Sequence, residues 1–473
     1  MSLRPKRLLS LQLLSMPPSS GRPRIRRRGR FRQHLSPVPE VLPPPPPDSA
    51  AANMEPLLDA IFPDGPPVQV RFWDGSTLGP ALPVGSVTVT SPLALRRMIW
   101  SPGELGLGRA VVTGDIEITG DIVDVLDALE RGATSHRLSP RALWLAFRAA
   151  RRSGAVGRPL PAPPEEAHPR GVRHSSRRDQ AVVRHHYDVG NEFYRLVLGP
   201  SMTYSCASFA TPTTTLEDAQ VAKYDLVCRK LGLHERRGMR LLDVGCGWGS
   251  LAMHAAEHYE ATVVGISISP EQLALARERV DAAELSDVVD IRLQDYRELG
   301  GERFDAISSV GMFEHVGDRR MAEYFEVLRA ALVPTGRLLN HAISSVGDSR
   351  IGPRTFIGRY VFPDGELIDI GRVVLAMERA GFEVRDVESL REHYARTLRE
   401  WIANLEQDWD RALDLVGPGR ARIWRLYMAA SAVGFTDGGI SVHQTLGVRA
   451  DDDGSSGMPP TRRGIDPNTS GRD

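Results

Sequence analysis

Only three of the 473 residues are cysteine, Cys206, Cys228 and Cys246, which leaves no material for a disulfide framework and points to a reducing compartment. They are scattered without a CxxC pair, and HExxH is missing too, so no metal is expected, although His185 and His186 taken alone resemble a metal pair. No apolar run approaches the roughly 20 residues that a membrane span needs. Net charge is also lacking, since 59 basic side chains balance 59 acidic ones, and no nucleic-acid partner is expected. What remains, 41% hydrophobic and 25% charged residues, suits a globular chain with room for two or three domains.

The balanced total hides an uneven distribution. Acidic residues are almost absent from residues 1–53, where Arg4, Lys6, Arg7 and a run of arginines from Arg22 to Arg32 face only Glu40 and Asp48, with prolines from Pro43 to Pro47 behind them. This reads as a disordered basic tail suited to anionic phospholipid, and Met54 offers an alternative start beyond it. Residues 54–150 read as a small α+β domain. VQVRFWDGS (Val68 to Ser76) and SVTVTS (Ser86 to Ser91) alternate as strands around a turn, and Pro92 to Trp100 reads as a helix. Gly114 to Leu129 passes from alternation into helical spacing. Residues 151–180, rich in Pro, Gly and Arg, read as a linker, 181–449 as the catalytic domain, and 450–473 as a disordered polar tail.

The densest signal is Leu241 to Gly249, LLDVGCGWG. Leu241, Leu242 and Val244 make a buried strand. Gly245, Gly247 and Gly249 let the backbone turn toward a ligand, and the helix that follows points free N–H groups at that turn. A second strand, Ala261 to Ser269, ends in Ser267 and Ser269 ahead of Gln272, where a dinucleotide enzyme would usually carry an acid. A third, Val288 to Gln294, delivers Asp295 and Tyr296, an acceptor and a ring suited to an adenine. A fourth spans Phe304 to Gly311. Strands and helices alternate from Arg240 to about Ser344, which predicts an α/β fold with a parallel sheet covered on both faces.

The G-x-G-x-G spacing behind Asp243 resembles the first motif of class I S-adenosylmethionine (SAM) methyltransferases. Further segments sharpen it: RHHYDVGNEFY (Arg184 to Tyr194), MTYSCASF (Met202 to Phe209), GMFEHVG (Gly311 to Gly317), LLNHAIS (Leu338 to Ser344), FIGRYVFPDGEL (Phe356 to Leu367) and HYARTLREW (His393 to Trp401). Together they resemble the cyclopropane fatty acid synthase family, which includes mycolic acid cyclopropane synthases and makers of methylene or methyl-branched fatty acids. The resemblance covers about residues 180 to 447. It implies a Rossmann-like, mostly parallel seven-stranded sheet with a small lipid-facing amino-terminal domain and a helical lid. It further implies that SAM is held by Tyr204, Ser205, Asp243, Gly245, Cys246, Gly247, Gly249, Ser267, Gln272, Asp295 and Tyr296. A bicarbonate ion would be held by Cys206, Glu314, His341, the backbone at Ile343, and Tyr394. Taken alone, Cys206 reads as a small buried residue and His341 as a core histidine. Many relatives carry a second cysteine where this chain has Ser431, so no thiol nucleophile stands there.

The implied substrate is the cis double bond of an unsaturated phospholipid, met by a cytoplasmic enzyme resting on the inner face of the membrane, with a homodimer as the expected assembly. A double bond is a poor nucleophile, so its π electrons must be held in line with the sulfonium methyl, close and dry. Transfer leaves a carbocation. On the resemblance, bicarbonate held by Cys206, His341 and Tyr394 removes a proton from the new methyl group to close a cyclopropane, with Glu314 accepting its O–H. Phe313, Tyr360 and Phe362 are the expected cation-stabilising rings. Loss of a proton after a hydride shift would instead leave a methylene group, for a partner reductase to convert to a methyl branch. Residues 344–370 read as an insertion placed as a lid, and His393 to Leu415 and Arg420 to Phe435 as two helices whose aromatic residues are mostly core.

Overall fold

The computed structural model describes residues 44–133, 139–167, 178, 189–347, 352 and 354–461. The chain divides into two compact units between Pro164 and Glu165. The basic segment 1–43, His185, His186 and residues 462–473 lie outside the described residues.

The first unit holds a four-stranded sheet, β1 (Gln69–Arg71), β2 (Thr77–Leu78), β3 (Gly85–Val89) and β4 (Ile116–Gly120), in the order β2-β1-β3-β4. The two expected alternating segments do pair, but β1 runs parallel to β3, while the turn at Gly75 folds β2 back antiparallel onto β1. Five helices accompany the sheet: α1 (Ala50–Ile61), α2 (Leu93–Trp100), α3 (Glu104–Val112), α4 (Ile122–Gly132) and α5 (Pro140–Arg152). The first corrects the tail boundary. Ser49 caps α1 by accepting from the Ala52 amide, Asp74 and Ser76 take the Ala50 and Ala51 amides, and both alanines are buried, so order begins ahead of Met54. The expected linker also differs. Arg96, Arg97 and Trp100 of α2 donate to the carbonyls of Ala155, Pro161 and Gly157, which straps its first half to this unit.

The second unit is built on a seven-stranded sheet in the order β10-β11-β9-β8-β5-β6-β7. The strands are β5 (Arg240–Val244), β6 (Thr262–Ser267), β7 (Val289–Leu293), β8 (Phe304–Val310), β9 (Leu332–Ser345), β10 (Glu383–Ser389) and β11 (Ile440–Val448). Strands β5 to β9 pair in parallel, and β11 runs antiparallel to both β9 and β10. The helices are α6 (Asn191–Leu198), α7 (Leu216–Lys230), α8 (Ser250–Tyr259), α9 (Pro270–Ala282), α10 (Met321–Ala331), α11 (Phe356–Tyr360), α12 (Ile370–Arg379), α13 (Arg391–Gln407) and α14 (Trp409–Asp437). One apolar layer, with Val227, Leu251 and Val263, and a second, with Ile307, Phe325 and Met377, cover the two faces. The chain runs outward from β5 through β6 to β7, then returns to β8 on the other flank. The crevice at this reversal is where such sheets bind ligands, and the glycine loop follows β5 directly.

Three boundaries depart from expectation. The helix expected to run from His393 to Leu415 ends at Gln407, because Asp408 (φ −111°, ψ 36°) leaves helical geometry. The polar tail is held as far as residue 461. Met458 packs against the core, Arg337 reaches the Gly457 carbonyl, and Arg385 donates to Ser456 and Pro459. The second unit also begins ahead of residue 181, since the Ala167 amide donates to the Arg359 carbonyl and the Tyr360 hydroxyl to buried Glu166. Within the insertion at 344–370, the helical part is the five-residue α11.

Candidate active site

Asp243, on the last turn of β5, is buried, and the Ser308 hydroxyl of β8 donates to its Oδ1 at 2.7 Å. Burial lifts its carboxyl to about 6, against the pull of that bond and of Lys223. The loop beyond is tied to the next strand, since the Gly245 and Cys246 amides both donate to the Ile266 carbonyl. Gly247 has φ 56°, and a Cβ there would enter open space, so its backbone faces the cavity. At the tip of β6 the Ser267 hydroxyl donates to Gln272 Oε1 at 3.0 Å, which fixes the amide of Gln272. Asp295 is gripped by Arg297 at 2.8 and 2.5 Å. Burial works to raise its carboxyl, but the Arg297 side-chain and backbone hydrogen bonds prevail and hold it below the usual range. Tyr296 beside it packs edge-on against Tyr324.

These residues line one cavity, closed on its other side by Tyr204, Ser205 and Lys223 and bordered by Pro363 and Asp364 of the insertion. Every residue expected to hold the cofactor lines it except Gly249. That glycine caps α8 in the left-handed region (φ 81°), and a Cβ there would touch Ala276 of α9, so it serves helix packing.

The five residues expected around bicarbonate do not line this cavity, but they adjoin its wall. Cys206 follows Ser205, Glu314 lies between Met312 and His315, and the Gly311 amide donates to the His341 carbonyl at 2.9 Å. Glu314 Oε1 accepts from the Ile343 amide at 2.7 Å. That corrects one expectation: the Ile343 N–H is committed to the carboxylate and does not stand open for an ion. Burial raises Glu314 to about 7, with the Ile343 bond pulling the other way. Burial drives His341 down to about 3, so its ring is neutral at physiological pH. The Gln444 amide lies 3.2 Å from His341 Nδ1; with that amide donating, the ring proton sits on Nε2. Among the described residues neither His341 Nε2 nor Glu314 Oε2, both buried, has a hydrogen-bond partner. The Cys206 thiol donates to the Ala207 and Leu390 carbonyls, and burial pushes its pKa up, so it is no thiolate. Tyr394 stacks on Phe435 with ring centres 4.6 Å apart. An unsatisfied donor and an unsatisfied acceptor, both on residues adjoining the cavity wall, fit bicarbonate, which carries both an oxyanion and an O–H.

The aromatic residues distribute differently from expectation. Phe313 is packed between Tyr324 and Phe325 in the core, and Tyr360 is engaged with Glu166. The rings that surround Tyr204 are Tyr194, Trp401 and Trp424, with Tyr427 bonded to its hydroxyl at 3.1 Å; Phe362 joins through an edge-on contact with Tyr427.

Lys223 escaped the sequence reading. It is 1% exposed, donates to Ser205 Oγ at 3.1 Å, and burial brings its amine down to about 7. A signal was present: Ala219, Gln220, Lys223, Tyr224, Val227 and Lys230 are buried along α7, and while Lys230 is answered by Asp386 and Glu388, Lys223 makes no ion pair among the described residues.

A glycine turn at the switch point, serine and glutamine at the second strand tip and an acid with a ring at the third define a class I SAM-dependent methyltransferase. The solved structures agree: the mycolic acid cyclopropane synthase CmaA1 complexed with S-adenosylhomocysteine (SAH) and CTAB matches with a TM-score of 0.54 and 35% identity, covering 57% of this chain and 98% of that one. The mycolic acid cyclopropane synthetase family matches residues 174–445, and the chain belongs to it. A probable fatty acid methyltransferase of Mycobacterium tuberculosis is 40% identical over 404 residues, 83% of this chain and 93% of the relative. The tuberculostearic acid methyltransferase UfaA1 of the same organism is 34% identical over 397 residues, 81% and 88%. The Escherichia coli cyclopropane-fatty-acyl-phospholipid synthase is 37% identical over 281 residues, 59% and 71%.

The burial of Glu314 has a measurable consequence. Its carboxyl is raised in the folded chain, so the folded state keeps a proton that the unfolded chain releases above about 4.5. The stability tied to that proton is complete below about 4.5 and is lost as pH rises through about 7. Glu314→Gln, which mimics the neutral acid, is therefore expected to melt close to wild type at pH 5 and a few degrees higher at pH 8 in bicarbonate-free buffer. An equal difference at both pH values would rule out the buried acid.

Proposed function

We propose that this methyltransferase acts on the cis double bond of an unsaturated acyl chain of a phospholipid and closes a cyclopropane ring there. The observation that carries the proposal is that Glu314 Oε2 and His341 Nε2, on residues adjoining the wall of the SAM cavity, are both buried without a hydrogen-bond partner among the described residues. When bound, bicarbonate supplies a small fixed base for taking up the proton that the reaction releases. The His341 Nε2–H and Tyr394 are suited to its oxygens, and Glu314 to its O–H, while the Ile343 amide holds Glu314 in place. In the transfer, the alkene π pair forms the new C–C bond, the methyl leaves its sulfonium, and SAH departs. The resulting cation loses a proton from the new methyl group, and the freed C–H pair closes the ring. Rings around Tyr204 present negative faces that steady the cation and exclude the water that would add to it. Among the described residues no helix is long and apolar enough to cross a membrane, which supports an enzyme that reaches its lipid from the membrane surface, with the first unit facing the lipid.

A second product is favoured by one specific likeness. The match to the tuberculostearic acid methyltransferase extends over 397 residues, well beyond the catalytic unit. On that reading a hydride shift precedes proton loss, the product carries a methylene group, and a partner reductase adds hydride and a proton to leave a methyl branch.

We also assign Lys223 as counter-ion to the carboxylate of SAM. Its ammonium has three donors, and Ser205, which lines the same cavity as Asp295 and Tyr296, takes one of them. Lys223→Met is expected to weaken SAH binding about 30-fold by titration calorimetry, while 5′-methylthioadenosine, which lacks the amino-acid end, binds as to wild type. Equal loss for both ligands would reduce Lys223 to a structural role.

Glu314→Gln should hold SAH affinity within about twofold and lower turnover more than about 100-fold; parallel loss of both would remove the role given to Glu314. The product itself is read by gas chromatography with mass spectrometry of fatty acids from a host rich in oleoyl phospholipids and free of any reductase. A ring-bearing chain one CH2 heavier is expected. A methylene chain of equal mass would establish the second product, and no gain of CH2 would overturn both.

A further inference from the structure

Helix α5 presents to solvent what a water-facing helix ordinarily hides. Leu143 is 43% exposed, Trp144 58% and Phe147 49%, and around them Arg141, Arg148, Arg151 and Arg152 are exposed as well. Residues 140–152 contain no acidic side chain. Helical spacing sorts these residues into two adjoining stripes: Leu143, Phe147 and Trp144 form the apolar one, Arg148, Arg141 and Arg152 the basic one, and Arg151 lies within the apolar one between Phe147 and Trp144. The opposite face is small and buried, with Ala142, Leu145, Ala149 and Ala150, and it packs against α1 and α2. Ser139 caps the helix and Pro140 opens it, so it is preformed.

We infer that this face of α5 docks the enzyme on an anionic phospholipid bilayer, with Leu143, Trp144 and Phe147 entering the interface and the four arginines meeting the headgroups. The inference rests on the reading that the substrate is a membrane phospholipid. Its chemistry is that of an interfacial helix: aromatic and leucine side chains bury apolar area just below the headgroups, and long arginines reach back to phosphate. The charge decides the occupant. A second copy of the chain, docking through the same patch on a two-fold axis, would set arginine against arginine. A groove that engulfs a basic helix would need its alanine face, which the unit already buries. An anionic surface satisfies every arginine at once, each worth about fivefold in partitioning.

The test is flotation of the full chain with vesicles of 30% dioleoyl phosphatidylglycerol in dioleoyl phosphatidylcholine, against phosphatidylcholine alone, with methyl transfer to detergent-dispersed dioleoyl phosphatidylglycerol measured alongside. Trp144→Ser with Phe147→Ser is expected to lower partitioning at least about tenfold. Arg148→Glu with Arg151→Glu should lower it by a similar factor and erase much of the preference for the anionic vesicles. Both double variants should keep the wild-type melting temperature and detergent activity within about twofold. Flotation like wild type by both would overturn the inference, as would a loss of oligomer without a loss of flotation, which would make the face a contact between copies. A wild-type chain that floats but methylates no lipid in detergent would sink the substrate reading and leave the docking face standing.

Discussion

The bond from the Ile343 amide to Glu314 joins the loop after β8 to the strand beside it, and it ties down a carboxylate otherwise sealed from water. Sealing an acid in this way costs several kcal/mol unless something answers its charge. The same cost is met repeatedly around the site: Asp243 is answered by Ser308, Lys223 by Ser205, and His341 by losing its charge. Such a concentration of half-satisfied polar groups is not what a chain optimised for stability alone would carry. It is what a site requires when a bound cofactor is to complete its hydrogen bonds.

Dryness explains the rest of the arrangement. A carbocation on an acyl chain is quenched by any water within reach, so apolar rings must surround the reacting carbons while the polar groups stay at the margin. The ring cluster around Tyr204 meets the first need, and it depends on helix aim. At Gly417 (φ 76°, ψ 161°) the chain takes a conformation open essentially to glycine alone, and Pro418 then begins the resumed helix without needing a donor. That break directs Trp424 and Tyr427 of α14 at Tyr204.

Much of this was legible before any coordinates, and what was legible shares one property: it is written in local spacing. The glycine turn, the strand tips at Ser267 and Asp295, and the Gly417–Pro418 break announce themselves through residues that few other conformations tolerate. What the sequence did not disclose is written in tertiary contact. Nothing near Asp408 marks the end of α13. The parallel pairing of β1 with β3 depends on partners, not on alternation. Phe313 reads as a ring near the chemistry because of its neighbours in the chain, but Tyr324 and Phe325 claim it for the core. Ile343 was expected to serve an ion, and the competition for its amide with Glu314 is invisible in one dimension.

Lys223 shows how such a gap narrows. A charged residue inside a buried helical stripe conflicts with burial, since an isolated ammonium in the interior tends to shed its proton. The chain resolves the conflict only in part: one donor goes to Ser205, the ring of Tyr224 lies 4.4 Å from the nitrogen, and the amine still falls to about 7. Asp243 is among the charges that pull the amine back up, yet it is itself lifted to about 6, so neither group fully satisfies the other. On the proposed assignment, the carboxylate of a zwitterionic cofactor would answer the ammonium that the protein leaves half-satisfied. On the same helix Lys230 is equally buried but is answered by Asp386 and Glu388, so the functional signal is a buried charge that the protein leaves unanswered, and it is read by asking which ligand would supply the missing half.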